Sequence, residues 1–100
     1  MNNNVFKPVR RAEVYYNDIL AGILLLNRGR YTFIYDLKYM YSSNPSIALD
    51  MPKRKRYFCS PYLFPFFQGL LPEGENKSFL CERLGISRSD KFTMLVKLAN

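Results

Sequence analysis

The chain has 100 residues, 48% of them hydrophobic and 16% aromatic, with 15 Lys and Arg against 8 Asp and Glu, no histidine and a formal charge of +7. The length is that of one domain, and so apolar a chain is excluded from the disordered class, which is too polar to offset the entropy of ordering. No apolar run nears the roughly 18 residues of a membrane span, and Met1-Asn2-Asn3-Asn4 lacks the basic start and apolar core of a secretory signal, so a cytoplasmic location is expected.

Residues 1–8 are expected to be a flexible N-terminus, and residues 9–99 a single domain. Val9 to Tyr16 reads as a strand, Asn17-Asp18 as a turn that tolerates positive φ, and Ile19 to Leu26 as the returning strand. Asn27-Arg28-Gly29 is a second turn, followed by Arg30 to Tyr35, whose aromatic and β-branched residues suit a third strand of an antiparallel meander. Asp36 to Tyr41 reads as a helical turn and Ser42-Ser43-Asn44-Pro45 as a loop. Ser46 to Leu49, bounded by prolines, is expected to be a short fourth strand.

Beyond residue 56 the period changes. Leu63, Phe66, Phe67 and Leu70 recur at i, i+3, i+4 and i+7, which predicts a short helix from near Pro61 to between Gly69 and Pro72, with those four side chains inward. Glu75 to Leu84 is a second helix, with Phe79, Leu80 and Leu84 on its apolar side and Gly85 as its C-terminal cap. Asp90 to Ala99 is a third, capped by Ser87 or Ser89, with Phe92, Leu95, Val96 and Ala99 in one stripe. The fold class is therefore α+β: a small antiparallel sheet from the N-terminal half packed with about three short helices from the C-terminal half.

The chemistry available is narrow. Cys59 and Cys81 are too few for a disulfide framework or, without histidine, for a zinc site, and are read as buried reduced thiols. The lack of histidine removes Ser-His-Asp and Cys-His catalysis, and the sequence has no Gly-rich phosphate loop, so neither an enzyme nor a cofactor is expected. Glu73 and Glu75 around Gly74 are read as shaping a turn and a helix start rather than as an acid–base pair. Lys53-Arg54-Lys55-Arg56 is the run of like charge. It reads foremost as a solvated loop or hairpin tip, with contact to nucleic acid or to an acidic protein surface as the functional alternatives. Arg10-Arg11 and Arg28 with Arg30 extend a positive face only if the hairpins bring them together.

The order of pieces is distinctive: Val14, Ala21-Gly22, Tyr31-x-Phe33-x-Tyr35-Asp36, Ile47-x-Leu49-x-Met51-Pro52, the stretch Leu63-Phe64-Pro65-Phe66-Phe67-x-Gly69-Leu70-Leu71-Pro72-Glu73-Gly74, and a closing Asp90-x-Phe92-x-x-Leu95. It resembles the N-terminal subdomain of HipA-type serine/threonine kinases, the toxins of bacterial HipBA toxin–antitoxin systems, over residues 10 to 99. Its most specific element is Phe-Phe-x-Gly-Leu-Leu-Pro-Glu-Gly. In full-length kinases of that type the catalytic residues follow this subdomain, so the resemblance carries none of them onto this chain. A chain ending here is similar to HipS, the small separate protein of split HipBST systems, in which HipT is a shortened kinase and HipB a helix-turn-helix DNA-binding protein.

The resemblance implies a non-catalytic antitoxin that binds and restrains a HipT-like kinase, with a HipB-like protein as a further partner. The alternatives are a nucleic-acid-associated subunit of a HipB-type repressor complex and a structural subunit that the shortened kinase requires. The expected kinase-binding surface is Tyr62, Phe64, Pro65, Leu71, Pro72, Glu73 and Gly74. Within it Tyr62 and Phe64 are expected to be exposed anchors, because the helical period assigns Phe66, Phe67 and Leu70 to the core.

Overall fold

Two tight turns shape the first half of the chain. Asn17 and Asp18 both take positive φ (53° and 64°), as do Arg28 and Gly29 (52° and 78°), the pattern of type I′ turns, whose twist matches that of the strands they join. They link β1 (Arg10–Tyr16), β2 (Ile19–Asn27) and β3 (Arg30–Tyr35) into an antiparallel meander, in a computed structural model that describes residues 10–98. The expected flexibility of residues 1–8 and the placement of Val9 and Ala99 lie outside the described residues. After β3, Asp36 accepts hydrogen bonds from the backbone N–H groups of Lys38 and Tyr39 and so caps α1 (Leu37–Met40).

The fourth strand of the sheet is β4 (Tyr57–Ser60), which pairs antiparallel with β3, giving the order β1-β2-β3-β4. Ser46 to Leu49 is not a strand, which corrects the expectation, and the reason is a tyrosine. The Tyr35 hydroxyl accepts from the Ile47 N–H (3.0 Å) and donates to the Met51 carbonyl (2.5 Å), while the Met51 N–H returns to Ala48. The segment's backbone is satisfied by a side chain and a turn, so it has no need of a ladder. Tyr39 ties the same loop through its hydroxyl, which donates to the Pro45 carbonyl (2.7 Å).

Register sets the two faces of the sheet. Ala12, Leu24, Phe33 and Phe58 form one row, and Val14, Gly22 and Tyr35 the next; Leu24, Phe33, Tyr35 and Phe58 are all buried. The Tyr35 ring stacks on Tyr39 and meets Phe33 and Phe58 edge-on. Burial pushes the Tyr35 phenol above the ordinary tyrosine pKa, and Tyr39 moves the same way for the same main cause. Gly22 is where backbone and ring come closest: a Cβ there would stand 2.2 Å from the Ile34 carbonyl oxygen and 2.7 Å from the Phe33 ring. Ala21, skipped between the pairs Val14↔Gly22 and Tyr15↔Leu20, forms a bulge whose carbonyl accepts from the Asp36 N–H. On the other face Arg11, Leu25, Thr32 and Cys59 share a row, and Cys59 is exposed. The expectation of two buried thiols holds for Cys81 and fails for Cys59, because alternation along β4 buries Phe58 and turns its neighbour outward.

The remaining elements are α2 (Pro65–Gln68), α3 (Gly74–Leu84) and α4 (Lys91–Leu98), which with the sheet make the fold α+β. The chain divides into two compact units, Met1–Tyr62 and Leu63–Asn100. No helix among the described residues is long and apolar enough to cross a membrane.

Candidate functional site

In the second unit, α2 starts on Phe64, whose carbonyl accepts from the N–H groups of Phe67 and Gln68, and Pro65 fills the first helical position, where a missing N–H costs nothing. The helix is one turn long, which decides the side chains around it. Leu63 and Phe67 are buried as the period predicts and Phe66 is half-buried, but Leu70 is 58% exposed and Phe64 only 8%. The expected anchor Phe64 is therefore a core residue, edge-on to the Phe67 ring at 6.3 Å. Leu71, also expected at the partner surface, is buried. Both corrections have one cause. A seven-residue spacing aligns side chains only along a continuous helix, and here Leu63 and Leu70 flank a four-residue one.

The other expected contact residues are accessible. Tyr62, the last residue of the first unit, is 77% exposed, and its N–H donates to the Ser60 hydroxyl. Pro65, Glu73 and Gly74 are exposed and Pro72 is half-buried. Gly74 has φ +59°, a left-handed conformation that strains any residue with a Cβ, and from it α3 departs with Glu75 in the first turn.

The apolar face expected for α3 is turned outward. Phe79 is 60% exposed, with the Arg83 guanidinium over its ring at 5.5 Å, and Leu84 is exposed as well. Leu80 is half-buried, and the side chain that α3 buries is Cys81. Gly85 ends the helix in the left-handed conformation as expected, its N–H returning to the Cys81 carbonyl. In α4 the buried residues are Phe92 and Met94, whereas Val96, expected in the stripe, is exposed. The α4 cap is Asp90 rather than a serine, since its carboxylate accepts from the Thr93 N–H (3.2 Å) and hydroxyl (2.7 Å). Ser87 and Ser89 are hydrogen-bonded to each other.

In the first unit the basic run divides in two. Lys53 reaches the carbonyls of Ser42 and Asn44 with its ammonium and stands 5.3 Å from the Tyr39 ring centre. Arg56 donates from Nε to the Tyr35 carbonyl (3.0 Å). Both are half-buried, while Arg54 and Lys55 are exposed. The solvated-loop expectation thus holds for the middle pair and is corrected for the outer pair, which bind backbone carbonyls of the loop and of β3. Spacing carries no signal of this, because the acceptors are backbone atoms 9 to 21 positions away.

Comparison with known proteins agrees with the motif. Residues 12–100 match the family model of the HipA N-terminal domain. The chain is similar to “Putative kinase Y4mE” of Sinorhizobium fredii, at 29% identity over 92 residues, which cover 90% of this chain and 22% of that protein. It therefore spans about a fifth of that relative's length. A match from Ala12, two residues into β1, through all three helices of the second unit leaves one conclusion: the chain belongs to the HipA N-terminal domain family.

Proposed function

We propose that the chain is a non-catalytic regulatory component, the antitoxin, of a bacterial HipBST-type toxin–antitoxin system, and that in the cytoplasm it binds a HipT-like serine/threonine kinase and restrains it. The supporting observation is Leu70. It lies in the Phe-Phe-x-Gly-Leu-Leu-Pro-Glu-Gly stretch that carries the resemblance, yet it is 58% exposed, and Phe79 and Leu84 in the same unit are exposed as well. Hydrocarbon side chains exposed at the most family-specific part of a domain are what an interface looks like without its partner. In this reading the partner is a separate kinase chain, and exposed Pro65 at the start of α2 and Pro72, Glu73 and left-handed Gly74 leading into α3 offer conformationally restricted backbone, which keeps the ordering cost low.

Co-expression with the cognate kinase tests this. Growth arrested by the kinase recovers when the chain is present. The double variant Leu70→Ser, Phe79→Ser loses the rescue and weakens pull-down of the kinase by about 2 kcal/mol, while its circular dichroism is unchanged. Tyr62→Ala gives a smaller loss. A kinase that is insoluble without the chain and toxic with it would make the chain a structural subunit instead. A DNA complex that forms only with a HipB-like protein present would place it in a repressor assembly.

A further inference from the structure

We propose that the arginine-bearing end of the sheet is a contact surface for the phosphate backbone of duplex DNA, separate from any kinase contact. Arg10 and Arg11 open β1 opposite Leu26 and Leu25, and Arg28 and Arg30 sit in and just beyond the turn that ends β2, where Asn27 pairs with Arg30. The two hairpins therefore bring four arginines to one end of the sheet, Arg11 and Arg30 on the face of Leu25 and Thr32, Arg10 on the opposite face and Arg28 in the turn. Arg11, Arg28 and Arg30 are exposed and Arg10 is half-buried.

The carboxylates of this unit lie away from that end. Asp18 is in the turn at the opposite end of β1 and β2, and Asp36 caps α1 beyond the far end of β3. Asp50 belongs to the loop between α1 and β4, and Glu13 stands farther along β1, where it accepts from the Tyr15 hydroxyl. Residues 1–62 hold ten Lys and Arg against four Asp and Glu, and residues 63–100 hold five against four. Six of the seven net charges thus belong to the first unit, and the end of its sheet that carries the four arginines holds none of its carboxylates.

The chemistry selects the occupant. Guanidinium forks bind phosphate oxygens in pairs, and arginines held on β1, on β3 and in the turn between β2 and β3 suit a backbone whose charges recur at fixed spacing. Proteins that hold single strands stack bases on exposed aromatic rings, whereas Tyr31, the aromatic of the row Arg10, Leu26, Tyr31 and Ser60, is half-buried. The Lys53 to Arg56 run is at the other end of the sheet, since the Arg56 carbonyl accepts from the Tyr35 N–H at the end of β3.

Fluorescence anisotropy of the full chain with a mixed-sequence DNA duplex of about 20 base pairs, titrated against salt, tests the assignment. Binding is expected to weaken steeply with salt. In Arg11→Gln, Arg30→Gln the slope of log affinity against log salt should shrink by about 1.8, roughly 0.9 for each phosphate contact removed, and the low-salt affinity should fall about tenfold. Arg54→Gln, Lys55→Gln should leave both unchanged, and both variants should melt with the parent chain. Equal losses in the two variants would reduce the effect to net charge and overturn the proposal. So would absence of binding at low salt, equal competition by polyglutamate, or a preference for single-stranded DNA that Tyr62→Ala abolishes.

Discussion

Residues 10–62 and residues 63–98 solve the problem of a small core in different ways. In the first region buried tyrosines act as backbone partners: Tyr35 holds Ile47 and Met51, Tyr39 holds Pro45, and the large exposed side chains are mainly tyrosines with a wettable hydroxyl, with Ile19, Leu37 and Leu49 as the hydrocarbon exceptions. In the second region the helices are short, and its exposed large side chains are Leu70, Phe79, Leu84 and Val96, all hydrocarbon. Charge divides the same way, with the first region strongly basic and the second nearly balanced. Polar side chains thus serve the first region both as internal partners and as surface, whereas the second rests on apolar contacts inside and out.

The largest expected effect falls where the first region has no slack. Gly22→Ala puts a methyl group 2.2 Å from the Ile34 carbonyl oxygen, a contact that only backbone movement between β2 and β3 can relieve. The expected loss is about 3 kcal/mol or more, read as a lower midpoint in urea unfolding. A loss under about 1 kcal/mol would mean that the two strands separate easily and that the first region is not closely packed at this point. Ala21→Gly, in the adjacent bulge, is the control for composition.

Tyr35→Phe comes next. It keeps the ring but leaves the Ile47 N–H and the Met51 carbonyl without their partner, an expected cost of about 2 to 3 kcal/mol. It also has a pH signature. Because burial raises the phenol above the ordinary 10.0, the neutral form belongs to both folded and unfolded states at lower pH, and stability there does not depend on this group. As pH rises past that value the unfolded chain loses its proton first, so stability falls until the folded phenol ionises as well. The variant should flatten this alkaline decline while leaving the part due to Tyr39, which is raised by burial too. An unchanged decline would remove Tyr35 as its source.

How much of this could be read in the sequence depends on how local the cause is. Asn17-Asp18, Arg28-Gly29, Asp36 and Gly85 act within a few positions of themselves, and the turns, α1 and the end of α3 follow from them. The fourth strand was misplaced because a hydroxyl 12 residues away, that of Tyr35, meets the needs of Ile47. Among the residues expected to meet a partner, the exposure of Tyr62 is as the sequence suggests, but Phe64 and Leu70 exchange places because a seven-residue spacing does not hold across one turn of helix. The exposed face of α3 was invisible for a related reason: period tells which residues share a side, and burial of Cys81 rather than Phe79 depends on what that side meets.

Lys53 sharpens the comparison at smaller scale, because it asks whether a charge in the first region serves structure or binding. Lys53→Met keeps the length of the stem but removes the ammonium from the carbonyls of Ser42 and Asn44, with an expected loss of about 1 to 2 kcal/mol. Arg54→Gln, Lys55→Gln should stay within about 0.5 kcal/mol of the parent chain. Equal stability of the two variants would return the whole run to the solvated-loop class.

The smallest expected effect concerns the second region, where α4 has a side-chain cap and α2 and α3 have none. Asp90 accepts from the N–H of Thr93 and so satisfies one of the donors that the first turn of α4 leaves without an intrahelical partner. Its negative charge also meets the positive end of the helix dipole. Asp90→Ala should cost about 1 kcal/mol, with faster amide exchange in the first turn of α4 as the local readout. Ser87→Ala and Ser89→Ala break only the hydrogen bond between the two hydroxyls and that from the Ser89 N–H to Ser87, both exposed, and should cost less. If a serine variant frays α4 as much as the aspartate variant does, the cap belongs to the serines after all, and Asp90 acts through its charge alone. Asp90→Asn separates those two contributions, because it keeps the acceptor and removes the charge, and most of the stability is expected to survive it.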